Sequence, residues 1–168
     1  RQACCIRYER AVAEGKVTEI AVAGDRVVYG VCQLRSPVEL HSIARAGGRP
    51  RTLTRINASK LASVRMGESE QFTFQGWNDE PVYGWVVKPA DFSFRKKYPV
   101  AFLIHGGPQG SFGNDFHYRW NPQVYAGAGY AAVMVDFHGS TGYGQAFTDA
   151  INGHWGDRPL EDLQKGLA

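Results

Sequence analysis

One apolar run, Tyr98–Ile104, constrains the fold of this chain more than any other feature of the sequence. After its proline the run reads VAFLI and contains no polar residue. A strand with one face in water alternates apolar and polar residues, whereas an unbroken apolar run is typical of a strand covered on both faces, as in a parallel sheet. A second such run, Tyr130–Val135, follows a helix predicted over Tyr118–Ala128. The order strand, helix, strand indicates an α/β fold.

The elements around these two strands support the same fold class. Gln71–Gln75 and Val82–Val87 flank a turn-rich stretch, which predicts a β-hairpin. Residues 144–152 are predicted to form a helix that is closed by Gly153. Pro159 is predicted to lie in the first turn of a further helix, because that turn does not need the N–H group that proline lacks.

Residues 1 to about 67 show a different pattern, with short runs in which apolar and polar residues alternate. The runs are Val17–Ala23, Asp25–Cys32, Val38–Ala44 and Arg51–Thr54, with breaks at Gly24-Asp25 and Gly47-Gly48. Short strands separated by glycine turns predict an antiparallel sheet, similar to one blade of a larger all-β array. A single four-stranded blade cannot bury both of its faces, so we expect neighbouring blades. The chain holds about one such unit and therefore shows no repeat period.

Length and charge exclude several classes of protein. The 168 residues are enough for one domain, or for one domain and part of another. The net charge of +3 is small, and the basic groups Arg49–Arg55 and Arg95–Lys97 are not interleaved with aromatic residues, so we expect no nucleic-acid partner. No apolar run approaches the ~20 residues that cross a bilayer, so no membrane partner is expected. The chain starts with neither an initiator methionine nor a signal-peptide core, and we expect it to begin partway along a longer protein.

The cysteines and the glycine-rich stretches do not indicate a metal or a cofactor. Cys4, Cys5 and Cys32 are an odd number and cannot form a closed disulfide framework. Either one of the first two bridges Cys32 across neighbouring strands, or all three are buried thiols, and no spacing with histidine resembles a zinc site. Gly127-Ala-Gly129 resembles part of a dinucleotide-binding motif, but it ends a helix instead of opening one, so it is predicted to be a helix C-cap. No cofactor and no metal are therefore expected.

The residues directly after the first apolar strand are the strongest candidates for a functional site. His105-Gly-Gly-Pro108 lies at the carboxyl end of that strand, where α/β sheets bind their ligands. Gly106 and Gly107 lack Cβ atoms, so a substrate can approach the backbone and the N–H groups can face a developing oxyanion. Pro108 fixes the direction in which the chain leaves. A plain turn is the alternative interpretation.

Residues His105–Phe147 resemble the start of the catalytic domain of prolyl oligopeptidase-family serine peptidases. The shared pattern consists of HGGP, an amphipathic helix, a strand opened by Gly-Tyr, and GSTGYG. It is most similar to the acylaminoacyl-peptidase and dipeptidyl-peptidase V branch, and the resemblance covers roughly residues 70–168. The resemblance implies that residues 68–168 are the N-terminal half of an α/β-hydrolase domain. Residues 1–67 are then a blade segment from the last part of an antiparallel β-propeller that precedes this domain.

In the first loop, the resemblance implies a role for each residue of the HGGP motif. Gly107 donates its backbone N–H to the oxyanion of the scissile carbonyl, with Gly106 beside it. His105 and Pro108 position the loop and take no part in proton transfer.

The loop Gly139–Gly144 follows the second apolar strand. By its residues alone, it either lines a site or only turns the chain. If it lines a site, Ser140 and Tyr143 are its candidate lining residues. His138 stands where many relatives carry arginine, which leaves its role open.

A catalytic triad is not expected within this chain. The family's nucleophilic serine sits in a GxSxG turn, whereas Ser111, in QGSFG, and Ser140, in HGSTG, both lack the glycine two residues before. The family places that turn after the helix that Pro159 opens, with its aspartate and histidine later still. We therefore expect this chain to be a fragment of a longer enzyme and inactive by itself, with an apolar edge exposed along Tyr98–Ile104.

Three functions stay open at this point. The resemblance implies a serine peptidase that cleaves short peptides through an acyl-enzyme, of the dipeptidyl- or acylaminoacyl-peptidase type. A non-catalytic fragment and an esterase on the same fold are the alternatives. The expected partners are a short peptide substrate and the remainder of the catalytic domain and propeller. Oligomerisation is left open, and the resemblance suggests a secreted or periplasmic location.

Overall fold

The N-terminal strands form a four-stranded antiparallel sheet in the computed structural model, which describes residues 10–168. The strands are β1 (Lys16–Ala23), β2 (Arg26–Gln33), β3 (Ser36–Ala44) and β4 (Arg51–Thr52), and each pairs with the next. Gly24 has a φ of +61° in the turn between β1 and β2, a region of backbone conformation that favours glycine. The predicted antiparallel sheet and its glycine turn are confirmed.

A short helix, α1 (Ala58–Ala62), follows this sheet, although no periodic pattern predicts it. The side chain of Glu39 on β3 holds the segment before the helix. Its carboxylate accepts hydrogen bonds from the Thr54 hydroxyl and from the backbone N–H groups of Ile56 and Asn57. The hydrogen bonds from Thr54 and Asn57 lower the pKa of Glu39 to about 2. A carboxylate on a distant strand therefore places α1.

Cys32 is a buried thiol on β2. Its Sγ lies 3.0 Å from Oδ1 of Asp115, and the other oxygen of that carboxylate lies 2.6 Å from Nζ of Lys16. Burial raises the pKa of the thiol above its ordinary value, which favours the protonated form. Cys4 and Cys5 lie outside the described residues, so a bridge from either of them to Cys32 stays a prediction.

A second four-stranded sheet forms a separate unit of the chain. Its strands are β5 (Ser69–Gln75), β6 (Pro81–Val87), β7 (Val100–Leu103) and β8 (Ala131–Asp136), in the order β5-β6-β8-β7. The first unit comprises the chain up to Leu61 together with Asn114–Phe116, and the second comprises Ala62–Gly113 and His117–Ala168. β5 and β6 form the predicted hairpin, and β7 pairs with β8 in parallel, as the apolar runs predict. The described residues thus have a mixed α/β fold.

Three helices belong to the second unit: α2 (Pro122–Gly127), α3 (Gln145–Asp149) and α4 (Arg158–Leu167). Pro159 lies in the first turn of α4, as predicted. Gly129 follows α2 with a φ of +90°, as is typical of glycine at a helix C-terminus, so the predicted cap is confirmed. None of the described helices is both long and apolar enough to cross a membrane.

Helix α2 is shorter than the helix predicted over 118–128. The predicted start was wrong because the ring of His117 binds the intervening segment, with Nδ1 accepting the N–H of Trp120 at 2.9 Å. Asn121 then caps the helix by accepting the N–H of Gln123 at 2.9 Å. Local hydrogen bonds from side chains therefore set where this helix begins.

Helix α3 covers only the first part of the helix predicted over 144–152. The carbonyl of Asp149 accepts the N–H of Asn152, which tightens the chain into a turn. The carbonyl of Ala150 accepts from the guanidinium of Arg158 at 2.6 Å. Because these carbonyls are engaged elsewhere, the helix does not continue.

The core of the second unit is formed by its sheet together with helices α3 and α4. Val82 on β6, Val135 on β8 and Phe147 on α3 are buried at its centre. Six partly buried side chains pack against them: Phe72, Phe74, Phe102, Val133, Tyr143 and Leu163. Apolar burial is the dominant favourable term in folding, so this cluster holds β6, β7 and β8 together.

His138 links helix α4 to two other segments of the second unit. Within the buried ring, Nδ1 lies 2.7 Å from Asp162 on α4 and Nε2 lies 3.3 Å from Glu80 in the β5–β6 connection. Carboxylate oxygens only accept hydrogen bonds, so both ring nitrogens donate and the ring carries a positive charge. Burial lowers the pKa of His138, but the hydrogen bonds and charges of Asp162 and Glu80 outweigh burial and raise it. A triplet of charges therefore anchors α4.

Replacing His138 by glutamine removes the positive charge of this triplet, and we expect the apparent melting temperature of the protein to fall. Because folding raises the His138 pKa, its contribution to stability is complete below the ordinary value of about 6.5. That contribution is lost as the pH rises through the folded-state pKa. The difference in melting temperature between the native protein and His138→Gln should therefore shrink with rising pH. Thermal unfolding followed by circular dichroism at several pH values measures it.

His154→Gln is the matched control for this substitution. The side chains of His154 and its partner Asp157 lie 2.8 Å apart and are 40% and 65% exposed. Exposed ion pairs contribute little to stability, so the control should melt close to the native protein. A melting difference for His138→Gln that is the same at every pH would contradict the charged triplet.

Candidate active site

The loop after β7, residues 105–112, leaves the sheet at the carboxyl end of a parallel pair of strands. Leu103 on β7 is level with Met134 on β8, so the residues that follow the two strands lie side by side. His105 follows Leu103 by two residues, and Asp136 follows Met134 by two residues. Parallel sheets bind ligands at this edge, which makes the loop the candidate site.

Gly106 and Gly107 are exposed in this loop, and neither N–H group donates to an acceptor within residues 10–168. Gly107 has a φ of +136°, and a Cβ atom there would lie 2.8 Å from the backbone nitrogen of Gln109. A Cβ atom on Gly106 would meet nothing within 4 Å. The Gly107–Pro108 peptide bond is cis, and Pro108 is buried. The geometry therefore requires glycine at position 107 and does not require it at 106.

His105, at the start of the loop, has both ring nitrogens engaged. Nδ1 lies 3.1 Å from the carbonyl oxygen of Gly106, and Nε2 lies 2.9 Å from Oγ of Ser140. A carbonyl only accepts hydrogen bonds, so Nδ1 donates and Nε2 accepts from the serine hydroxyl. The ring also stacks on Phe137, with the ring centroids 4.5 Å apart. These contacts fix the orientation of the ring.

The two residues predicted to line the site from the second loop differ in exposure. Ser140 is fully buried, whereas Tyr143 is partly exposed and stacks on Tyr83 with centroids 5.1 Å apart. Ser140, His105 and Asp136 do not have the arrangement of a nucleophile, a base and an orienting acid. The Asp136 carboxylate lies 3.7 Å from Nε2, the same nitrogen that faces Ser140. A triad needs the acid at the opposite nitrogen of the ring.

Asp136, at the end of β8, belongs to this region although its place in the sequence did not mark it as a site residue. It is 1% exposed. Oδ1 accepts the backbone N–H of Phe112 at 2.6 Å, and Oδ2 accepts the hydroxyl of Tyr143 at 2.5 Å. Burial raises the pKa of Asp136, although both hydrogen bonds act to lower it, and burial with the nearby carboxylate raises the pKa of Tyr143. The one sequence feature that could have identified Asp136 as a site residue is its position as an acidic residue at the end of an apolar strand.

The β8–α3 loop contacts the candidate loop at a further point. The N–H of Thr141 donates to the carbonyl of Gly110 at 2.9 Å, and the N–H of Gly110 donates to the carbonyl of Pro108 at 2.8 Å. The candidate loop is thus held at its start, its middle and its end, while the N–H groups of Gly106 and Gly107 have no acceptor in the part of the chain that the structure describes. Adjacent unpaired N–H groups can bind an anion or a developing negative charge.

Metal binding has no support in the part of the chain that the structure describes. No group of three or more His, Cys, Asp or Glu side chains is placed there to hold a metal ion. The buried carboxylates of Asp136 and Asp162 accept instead from protein N–H and O–H donors. The protein itself therefore supplies the partners of these two charges.

Comparison with protein families and curated relatives places the chain among peptidases. The model of the Prolyl oligopeptidase family matches residues 116–168. Dipeptidyl-peptidase 5 of Schizosaccharomyces pombe is 46% identical over 116 residues, which are 67% of this chain and 17% of the relative. A probable dipeptidyl-peptidase 5 of Aspergillus clavatus is 42% identical over 129 residues, which are 75% of this chain and 18% of the relative. The chain therefore matches less than a fifth of the length of these relatives.

Solved structures show the same relationship. Acylaminoacyl peptidase of Pyrococcus horikoshii superposes with a TM-score of 0.83 at 28% identity, over 95% of this chain and 25% of that chain. A puromycin hydrolase superposes with a TM-score of 0.73 at 22% identity, over 92% of this chain and 24% of that chain, which shows likeness of fold alone. The resemblance predicted from the sequence is confirmed: residues 116–168 match the prolyl oligopeptidase family, and the relatives and solved structures of higher identity are peptidases.

Replacing Ser140 by alanine removes the hydroxyl that pairs with His105. Leaving a buried polar group unpaired costs about 1–3 kcal/mol, so we expect the free energy of unfolding to fall by about that much. Chemical denaturation of the native protein and the variant measures the difference. Ser111→Ala is the control, because Ser111 is exposed and such substitutions usually change stability by about 0.5 kcal/mol or less. Equal stability of the two variants would show that the pair of Ser140 with His105 contributes nothing.

Proposed function

We propose that this chain is the oxyanion-loop part of a serine peptidase that cleaves short peptides through an acyl-enzyme. The dipeptidyl-peptidase 5 and acylaminoacyl peptidase relatives support a peptidase, of the dipeptidyl- or acylaminoacyl-peptidase type. Because the chain matches only a fraction of the length of these relatives, the activity is proposed for the longer enzyme that carries it.

The free N–H group of Gly107 is the observation that carries this proposal. It lies in an exposed loop at the carboxyl end of β7 and has no acceptor within residues 10–168. When a nucleophile attacks a peptide carbonyl, the oxygen gains negative charge, and a fixed N–H group stabilises that charge more than it stabilises the substrate. One such donor is commonly worth about 3 kcal/mol of transition-state stabilisation. No existing hydrogen bond of Gly107 has to break before it can donate.

The other residues of the two loops have supporting roles in this proposal. Gly106 lets the substrate approach the backbone closely, because it carries no Cβ atom. His105 and Pro108 hold the loop in shape, and Ser140 orients the His105 ring through its hydroxyl. Tyr143, which is partly exposed, lines the rim of the site.

The two units also have a place in a larger fold under this proposal. Residues 1–67 are a segment of the last part of an antiparallel β-propeller, and the four-stranded order β1-β2-β3-β4 supports this. Residues 68–168 are the N-terminal part of the α/β-hydrolase catalytic domain. β7 ends the strand order of its sheet, and Val100 and Ile104 are 47% and 56% exposed. An edge of this kind needs a cover, which we assign to a strand from the remainder of the catalytic domain.

The nucleophilic serine and its two partners come from outside these residues in this proposal. The sequence contains no GxSxG turn, and Ser140 is buried with its hydroxyl engaged. The 168-residue chain by itself is therefore proposed to be inactive.

Gly107→Ala in the longer enzyme tests the oxyanion role. The added Cβ atom meets the backbone nitrogen of Gln109 and must displace the amide. We expect kcat for a dipeptide or N-acyl-amino-acid anilide to fall by about 10²–10³, as when one oxyanion donor is removed. KM should change little, because the oxyanion forms only in the transition state. Gly113→Ala is the matched control and should retain most of the activity, since Gly113 follows the candidate loop and a Cβ atom there would meet nothing within 4 Å.

The outcomes of this experiment separate the candidate functions. A native kcat for Gly107→Ala, or an equal loss for Gly113→Ala, would contradict the role of Gly107. Hydrolysis of esters without hydrolysis of peptide anilides would make the protein an esterase. No hydrolysis of either by the native enzyme would leave a non-catalytic protein.

A fluorophosphonate probe, which reacts with activated serines, tests where the nucleophile lies. It should label the longer enzyme and leave the 168-residue chain unlabelled, with intact mass as the measurement. A labelled 168-residue chain would place an activated serine among these residues and overturn the proposal for the triad.

A further inference from the structure

Asp136 contacts the candidate loop near both of its ends. At the end of the loop, Oδ1 accepts the backbone N–H of Phe112 at 2.6 Å. At the start of the loop, the same oxygen lies 3.7 Å from Nε2 of His105. A single side chain from the neighbouring strand therefore binds the end of the segment that carries Gly107 and lies beside its start.

The second carboxylate oxygen of Asp136 is held by an aromatic cluster. Oδ2 accepts the hydroxyl of Tyr143 at 2.5 Å. The Tyr143 ring stacks on Tyr83, with an angle of 7° between the ring planes, and packs against Phe147 at 5.3 Å. The packed ring fixes the hydroxyl, and the hydroxyl fixes the rotation of the carboxylate. Oδ1 is thereby kept in line with the N–H of Phe112.

The chemistry of the two donors calls for an aspartate at this position. A buried carboxylate is costly unless donors surround it, so an apolar residue would serve the core better if packing were its only role. Asparagine has one acceptor oxygen, so with that oxygen on the Phe112 N–H its amide nitrogen could only donate to the Tyr143 oxygen, which would reverse that hydrogen bond. Only a carboxylate accepts from the Phe112 N–H and the Tyr143 hydroxyl at once.

We propose that Asp136 is a positioning residue for formation of the oxyanion. It does not touch the substrate, and it acts by holding the loop of residues 105–112 so that the Gly107 N–H faces the developing charge. Tyr143 supports it by fixing the carboxylate. This inference rests on the proposed peptidase function.

Two substitutions in the longer enzyme test the role of Asp136, with hydrolysis of a peptide anilide as the measurement. Asp136→Asn keeps the size of the side chain and removes one acceptor. We expect kcat to fall by about tenfold to a hundredfold, as for a small misplacement of a catalytic group, while KM stays within about threefold. Tyr143→Phe removes only the hydroxyl that fixes the Asp136 carboxylate, and it should lower kcat less than Asp136→Asn does. Asp149→Asn is the matched control, because Asp149 is exposed on α3 and should not affect kcat.

Inhibition separates positioning from general damage to the site. A peptide boronate forms a tetrahedral adduct with an active-site serine and places an oxygen in the oxyanion position, whereas a product peptide does not. Asp136→Asn should weaken boronate inhibition by the same factor as kcat/KM and leave inhibition by the product peptide unchanged. A native kcat, or equal weakening of both inhibitors, would overturn the positioning role.

Hydrogen exchange of the loop tests the contacts of Asp136 independently of activity. Both Asp136→Asn and Tyr143→Phe should speed exchange at the amide of Phe112, and Asp149→Asn should not. Unchanged exchange in the first two variants would overturn the inference. If the Asp136→Asn variant does not fold, the same kinetic, inhibition and hydrogen-exchange measurements on Tyr143→Phe test the inference.

Failure of this inference is distinguishable from failure of the proposed function. A native enzyme that hydrolyses no peptide overturns the proposed function, and the positioning role with it. An active native enzyme with an equally active Asp136→Asn variant overturns the positioning role alone.

Discussion

The parallel pairing of β7 with β8 is the constraint on which the rest of the second unit depends. With Leu103 level with Met134, the first residues beyond the two strands lie side by side, and His105 comes within reach of Asp136. The apolar cluster around Val135 holds the strands in this register. A slip of one residue would turn every side chain of β8 to the other face of the sheet and remove Asp136 from the loop.

Two buried carboxylates tie the loops of this unit to its sheet. Asp136 binds Phe112 and Tyr143, while Asp162 on α4 accepts the backbone N–H of Trp77 and two donors of His138. Buried charges seldom stabilise a fold better than well-packed apolar residues do. Orientation explains their satisfied contacts better: Asp136 holds the candidate loop, and Asp162 holds α4 against His138 and Trp77.

Elements set by the pattern of apolar residues were predictable from the sequence, and those set by individual side-chain hydrogen bonds, from near or distant residues, were not. The β5–β6 hairpin and both apolar strands follow from the alternation or continuity of neighbouring residues. The start of α2 was wrong because the His117 ring binds the backbone N–H groups that a longer helix would have used. Helix α1 was not predicted because Glu39, which binds the residues before it, lies on another strand.

The features of the candidate site also separate into those that the sequence predicted and those that only the fold decided. The sequence by itself determined that two glycines without Cβ atoms follow an apolar strand, because the lack of a Cβ atom is a property of the residue wherever it stands. It also determined that no GxSxG turn occurs within the chain. Only the tertiary structure decided that the Gly107 N–H has no acceptor among the described residues 10–168 and that Ser140 is buried beside His105. Phe112 and Asp136 are 24 residues apart in the chain, so strand pairing and register, which no local pattern encodes, decide that they meet.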